Sequence, residues 1–278
     1  MQKKSEVIQG TEKEFLDIFH SLCYSRSAWQ VWECLISAMA CSLSNAVDKT
    51  PERWEKREKE YESCIKEIGS VEVASKILAI VVMAYEANPD QDFLGKMYMQ
   101  LNLGSHWHGQ FFTPYDVCKM MARITIGEAI PEEIQRKGYI SINDPACGAG
   151  ATLIAAANDM REKGINYQRD VLFVAQDIDR VVGLMCYIQL SLLGCPGYVV
   201  IANTITTPVE GSTLCPIEKE TQEFWYTPFY FRDEWTIRRM REALGLMKIF
   251  DEAEPKRIDL REHYFFYFDF EQEEHNGR

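Results

Sequence analysis

The sequence predicts an α/β fold preceded by an all-helical N-terminal part, on three observations. Short β-prone runs alternate with helical stretches between Tyr139 and Ala202. Apolar residues recur at helical spacing through the first hundred residues, and a glycine-bearing loop, Asp144 to Gly150, falls between a strand-like run and a helix-like one.

The elements follow in order. Phe15, Ile18, Phe19, Leu22 and Cys23 share one helical face between Glu12 and Cys23, and Trp29, Trp32, Leu35, Ile36 and Met39 repeat the pattern. Thr50 followed by Pro51 supplies an N-cap and a first-turn proline for a third helix carrying Trp54, Tyr61, Ile65 and Ile68. Its Glu/Lys/Arg run reads as a solvated face. Val73, Ile77, Ile80, Val81 and Ala84 form a fourth helix that Asn88-Pro89 ends. From about Gly138 the pattern changes to strand Tyr139 to Asn143, helix Ala151 to Lys163, strand Val171 to Gln176, helix Arg180 to Leu193 and strand Tyr198 to Ala202. Strands and helices alternating at these lengths predict a parallel sheet with right-handed crossovers, whose ligands bind beyond the carboxyl ends of the strands. Beyond Thr204, Pro208, Gly211 and Pro216 mark a loop, and no clear apolar strand precedes Phe224-Trp225-Tyr226. The division expected is a helical domain over 1–104 and an α/β domain over 105–278.

Composition narrows the function classes. With 278 residues, 46% hydrophobic and 26% charged, the chain can bury a core, which disfavours disordered and fibrous classes and excludes collagen-like and mucin-like ones. A formal charge of −12 opposes tight DNA binding by this chain alone, because a phosphate backbone is repelled unless a basic patch or another subunit attracts it. The longest apolar run, Ile77 to Tyr85, is too short to span a bilayer, and no apolar signal core follows Met1 to Ser5. Nine cysteines, an odd number without a Cys-x-x-Cys pair, read as reduced, mostly buried thiols of a soluble cytoplasmic protein.

The chemistry concentrates at the strand ends. Gly148 and Gly150 let the backbone turn tightly and let a ligand approach main-chain atoms, while Asp144 places a carboxylate at the end of the first strand. The third glycine of a dinucleotide fingerprint is replaced by Leu153, which favours a smaller nucleoside ligand over a pyrophosphate. A tight turn without a ligand remains the alternative. Gln176-Asp177-Ile178-Asp179 ends the next strand, where an acid can accept hydrogen bonds from two ribose hydroxyls; Asp177 is the better ligand and Asp179 the better helix cap. Two acids on neighbouring strand ends tolerate a cationic ligand such as a sulfonium.

Gly109-Gln110-Phe111-Phe112-Thr113-Pro114, followed some thirty residues on by Asp144-Pro145-Ala146-Cys147-Gly148-Ala149-Gly150, resembles the N6-adenine DNA methylase family, especially the modification subunits of type I restriction systems. Asp92 to Tyr98 adds to the resemblance, which runs from about Asn88 to Thr207. It implies a Rossmann-like S-adenosylmethionine-dependent methyltransferase fold, with S-adenosylmethionine as cofactor and no metal. It also implies that Phe112, Thr113 and Pro114 line the methionine end of the cofactor. Asp144, Ala146, Cys147, Gly148 and Gly150 would wrap its amino acid and ribose, Asp177 hold the ribose, Ile178 pack the adenine, and Asn203 and Thr204 meet the adenine edge. Cys147 becomes a wall of the pocket and not a nucleophile.

Family members also carry an Asn/Asp-Pro-Pro-Tyr/Phe motif after the fourth strand, which accepts the hydrogens of the target amine and stacks on a flipped adenine. The nearest approach here is Thr227-Pro228-Phe229-Tyr230, making Pro228 and Tyr230 the catalytic candidates. Asn203 is a second start for that motif, but its strand is the third from the glycine loop, which suits a cofactor role. About fifty residues follow Tyr230, so DNA recognition is expected to need a separate specificity subunit. Arg238, Arg239 and Arg241 either touch phosphates or form an exposed helix face. His106 and His108 flank Trp107 without further metal ligands in view. The expected function is adenine-specific DNA methylation, impaired or partner-dependent. The alternatives are a non-catalytic module that binds S-adenosylmethionine or a partner, and a nicotinamide-dependent oxidoreductase that leaves the Gly-Gln-Phe-Phe-Thr-Pro motif unexplained.

Overall fold

The computed structural model describes residues 2–103, 112–127 and 129–245. Helices α1 (Gln2–Leu22), α2 (Ala28–Val47), α3 (Pro51–Ile68), α4 (Val71–Ala87) and α5 (Phe93–Gln100) come first. Local chemistry fixes their ends. Ser27, Ser70 and Asp92 accept hydrogen bonds from the first-turn amides of Gln30, Val73 and Gly95, Pro51 opens α3, and Gly69 closes it in a left-handed conformation. α6 (Tyr115–Thr125) and α7 (Ile130–Lys137) then lead to β1 (Ile140–Asp144), α8 (Ala151–Glu162), α9 (Tyr167–Asp170), β2 (Val171–Asp177), α10 (Arg180–Leu192) and β3 (Gly197–Ile201). The predicted β-α-β-α-β run is present, with α9 a single added turn.

A short hairpin of β4 (Glu210–Gly211) and β5 (Pro216–Ile217) precedes β6 (Glu223–Tyr226), a turn of 3-10 helix (Pro228–Phe231) and α11 (Asp233–Ala243). The main sheet has the order β1-β2-β3-β6. β1, β2 and β3 are parallel, as expected, but β6 joins antiparallel to β3, pairing Tyr226 with Tyr198 and Glu223 with Ile201. Two expectations are corrected. The sheet is mixed, and Phe224-Trp225-Tyr226 is itself the strand. Both faces of β6 are buried, so the alternation that marks a half-buried strand is missing.

Residues of opposite parity along the strands feed two cores. Val171, Phe173, Ala175, Val199 and Trp225 join a cluster that continues through α10 and α8 into Trp32, Phe15 and Phe93 of the N-terminal helices. Leu172, Val174, Tyr198, Val200, Phe224 and Tyr226 face a smaller, aromatic layer closed by Leu214, Tyr230 and Trp235. Each fully buried aliphatic or aromatic side chain contributes roughly 1.5–3 kcal/mol, so this double burial holds β2, β3 and β6 firmly between the two layers. The outer edge of β6 is closed by Arg57 of α3, which is 3% exposed, donates to the Phe224 carbonyl at 2.7 Å and stacks 4.1 Å over Trp225. All nine cysteines are free thiols, six of them buried. Among the described residues no single helix is long and apolar enough to cross a membrane.

Candidate functional site

The carboxyl ends of β1, β2 and β3 converge on one crevice because the strands are parallel and in register, Asp144 opposite Ala175 and Asp177 opposite Ile201. Main-chain bonds lock the ends together. The Cys147 amide donates to the Gln176 carbonyl at 3.0 Å, the Ala202 amide to the Asp177 carbonyl at 2.9 Å, and the Thr204 hydroxyl to the Pro145 carbonyl at 2.5 Å.

The glycine loop rests on the second acid. The Gly148 amide donates to Asp177 Oδ2 at 2.9 Å, and the Asp179 amide donates to Asp177 Oδ1 at 2.9 Å. A carboxylate has about four acceptor positions, so Asp177 keeps capacity for a ligand while it organises the turn. Burial pushes its carboxyl above the ordinary range, against the hydrogen bonds from the Asp179 and Gly148 amides. Asp179 caps α10 through the Val182 amide, the division of labour expected of the pair. Asp144 accepts from the Ala146 amide at 3.2 Å and from the Thr152 hydroxyl. Gly148 and Gly150 have φ of 54° and 92°, and a Cβ on Gly150 would stand 2.8 Å from Cys186 Sγ. The loop therefore needs glycine there. Cys147 is a buried free thiol hydrogen-bonded with the Cys186 thiol; that hydrogen bond and burial push it well above the ordinary thiol range, which suits a wall and not a nucleophile.

Phe112 brings the second motif to the loop. Its ring lies 3.4 Å from where a Cβ on Gly148 would sit and packs on Tyr98 with ring centroids 5.2 Å apart. Thr113 and Pro114 follow as exposed residues leading into α6. α6 is pinned by the Tyr115 hydroxyl to Asp90 at 2.7 Å and by Lys119 to Asp90 at 2.6 Å. Gly109, Gln110, Phe111, His106, Trp107 and His108 lie outside the described residues. Ile178, 67% exposed, presents an apolar side chain beside Asp177. Asn203 Oδ1 accepts from the Ile205 and Thr206 amides at 2.9 and 3.2 Å, closing its own turn beside Thr204.

One positioning residue was missed in the sequence. Gln189 of α10, fully buried, donates to the Ala149 carbonyl at 2.7 Å and to Asp92 Oδ1 at 2.8 Å, and accepts from the Leu94 amide at 2.8 Å and from the Tyr85 hydroxyl. It ties the Asp92 to Tyr98 segment to the glycine loop. The signal was present: an amide in an otherwise apolar helix must satisfy its hydrogen bonds internally.

The catalytic candidates are not in the crevice. Because β6 runs antiparallel, Thr227 sits beside Gly197 at the start of β3, where its hydroxyl donates to the Cys195 carbonyl at 2.7 Å and accepts from the Gly197 amide at 3.0 Å. A five-residue strand spans about 13 Å between its first and last Cα, so Pro228 and Tyr230 stand at the opposite end of the sheet from Asp144 and Asp177. Tyr230 is a core residue. It stacks on Tyr226 at 4.7 Å and donates to the Leu214 carbonyl at 2.7 Å, and burial pushes its hydroxyl up to about 12. Arg238 and Arg239 are also occupied, stacked 4.4 Å over Trp235 and 3.9 Å over Tyr230.

The glycine loop, the acid-ended parallel strands and the aromatic motif beside them define an α/β protein whose candidate site lies at the carboxyl ends of its parallel strands. Residues 90–243, more than half of the chain, match the model of the N-6 DNA Methylase family, and the chain belongs to that family. Among solved structures it is similar to the methyltransferase subunit of the type I restriction-modification system from Streptococcus thermophilus. The identity is 14%, the TM-score is 0.39, and the match covers 75% of this chain and 60% of that one. This chain thus spans about 60% of the length of that subunit. No curated protein matches it.

Proposed function

We propose that the chain is a Rossmann-like methyltransferase subunit that binds S-adenosylmethionine and takes part in adenine-N6 methylation of DNA together with a separate specificity subunit. The observation that carries the reading is the bond from the Gly148 amide to Asp177 Oδ2 with Phe112 laid against the same glycine. It unites in one crevice the three segments whose order in the sequence resembles the family. The residues fit the cofactor: two carboxylates suit a sulfonium bearing an amino group, and the exposed Ile178 suits an adenine face. When bound, the cofactor supplies an electrophilic methyl group.

Phe112, Thr113 and Pro114 would flank the methionine end, and Asp144 with Ala146, Cys147, Gly148 and Gly150 the amino acid and ribose. Asp177 would accept from the ribose hydroxyls. Asn203, whose oxygen closes its own turn, would offer its amide nitrogen to the adenine edge, beside Thr204. These residues orient the methyl and hold its carrier; none of them polarises the acceptor amine.

That gap favours a second reading, a module that holds S-adenosylmethionine or a partner without transferring the methyl. The specific observation behind it is the burial of Tyr230 at the far end of the sheet. Transfer of labelled methyl to mixed-sequence DNA, with and without a candidate specificity subunit, separates the two. Label in adenine supports the enzyme. Tight cofactor binding without transfer under either condition supports the module, and a preference for NAD in calorimetry overturns both.

A further inference from the structure

α2 and α3 lie side by side in opposite directions, and polar contacts mark successive steps along their seam. Near the turn between them, Arg57 donates to the Ser44 hydroxyl at 2.7 Å and Asn45 Nδ2 donates to Glu58 at 3.0 Å. At the far end Gln30 donates to Glu67 at 3.1 Å. Midway, Arg180 of α10 donates both to Ser37 and to Glu60, one residue on each helix. Cys34 stands one turn after Gln30 and Cys64 one turn before Glu67, so the two cysteines face each other at the step between these contacts. The Cys64 thiol donates a hydrogen bond to the Cys34 sulfur.

The two thiols are not equivalent. Cys64, 9% exposed, belongs to the core, and Cys34 is half-buried against it. Access therefore falls to Cys34. Burial raises the Cys34 thiol and the hydrogen bond from Cys64 counters it; Glu67 and Glu33 add to the rise, and Arg26 opposes it. Burial, followed by the charge on Cys34, pushes the Cys64 thiol up, so Cys34 is the member that ionises first. A thiolate attacks, and a neighbouring thiol resolves the product. The acids Glu33 and Glu67 repel an anionic oxidant such as an acidic peptide disulfide, and they leave the approach open to a small uncharged hydroperoxide.

We propose that Cys34 and Cys64 are a hydroperoxide-responsive dithiol whose oxidation cross-links α2 to α3. The Cys34 thiolate attacks one oxygen of hydrogen peroxide, the O–O bond breaks, and the departing hydroxide takes up the proton that Cys34 released. This gives a sulfenic acid and one water. The Cys64 sulfur then attacks the Cys34 sulfur, the S–O bond breaks, and the hydroxide leaves with the Cys64 proton as a second water. Two thiols are oxidised to one disulfide, and one peroxide is reduced to two waters. The bond fastens α2, which meets Arg180 of α10 through Ser37, to α3, whose Arg57 holds β6. It leaves the crevice at the strand ends untouched, and it rests on no assignment of cofactor or substrate.

The test uses the full chain, reduced and then exposed to hydrogen peroxide, alkylated and digested without reductant for mass spectrometry. The expected product is a linked pair of peptides joining Cys34 to Cys64 within one chain, reversed by dithiothreitol. Cys64→Ser should leave a sulfenic acid at Cys34 that a dione reagent traps, and Cys34→Ser should slow oxidation of Cys64 at least about tenfold. Because the bond closes a loop and restricts the unfolded chain, peroxide should raise the urea midpoint of the unsubstituted chain and not that of Cys64→Ser. The absence of the linked pair would overturn the proposal, as would a link from Cys64 to the buried Cys41, oxidation confined to the half-buried Cys23 and Cys215, or a link formed only between isotopically distinct copies. A urea midpoint that falls on oxidation would show that the native pairing of the helices cannot accept the bond, and would overturn it too.

Discussion

Replacing Asp177 with alanine probes the crevice at the point on which its geometry hangs. The substitution removes two acceptors at once, leaving the Gly148 and Asp179 amides without their 2.9 Å partners. A hydrogen bond to a charged group contributes about 1.5–3 kcal/mol, but Asp177 is half-buried, and water that enters will recover part of each. Relief of the desolvated carboxylate offsets more. Burial raises the Asp177 carboxyl, so the folded state binds its proton more tightly than the unfolded one. This contribution favours folding most below the ordinary carboxylate range and is lost as pH rises through the folded value. The net loss of stability should be about 1 kcal/mol at pH 7, read from urea unfolding. Cofactor affinity should fall much further, because the proposed ribose acceptor and the anchor of the glycine loop go together: about 1–3 kcal/mol, or roughly 5- to 150-fold in Kd. Calorimetric titration with S-adenosylmethionine at pH 7 reads this directly. A folded Asp177→Ala protein that binds within twofold of the unsubstituted chain would refute the placement of the cofactor at these strand ends.

The remaining predictions concern residues that shape the fold around the site. Arg57→Ala should cost about 3 kcal/mol in urea unfolding, since it strips the Phe224 carbonyl of a donor and leaves Asp48 with Arg53 alone among its arginines. Burial raises the Asp48 carboxyl, but the Thr50 hydrogen bonds and the Arg53 and Arg57 charges outweigh it and hold the value below the ordinary range. Its contribution to stability is present at neutral pH and lost as pH falls through the folded value, so acid should destabilise the native chain more steeply than the variant. Tyr230→Phe should lose about 1 kcal/mol of stability through the bond to Leu214 and leave cofactor affinity and any methyl transfer unchanged. A selective loss of transfer would return Tyr230 to the chemistry.

Periodicity and punctuation carried much of the fold, and the reasons are local. Ser27, Ser70, Pro51 and Asp179 act within a turn of their own helices, so the sequence around them contains the whole cause. The glycine loop is equally local, since the left-handed conformations at Gly148 and Gly150 admit few other residues. Gln189 was readable in principle as the lone amide of an apolar helix, but its partners Ala149 and Asp92 lie 40 and 97 residues away.

The direction of β6 was beyond reach for a related reason. Phe224-Trp225-Tyr226 is buried on both faces, so neither alternation nor length reveals whether it runs with β3 or against it. That one bit, set by the turn from β3 through the β4–β5 hairpin, sends Pro228 and Tyr230 to the far end of the sheet. By itself the sequence determined the helical N-terminal part, the β-α-β-α-β order and the residues that end the parallel strands, because each depends on neighbours a few positions apart. Only the tertiary structure decided which strands are neighbours and which aromatic residues are core, because these depend on contacts between segments that the chain keeps far apart.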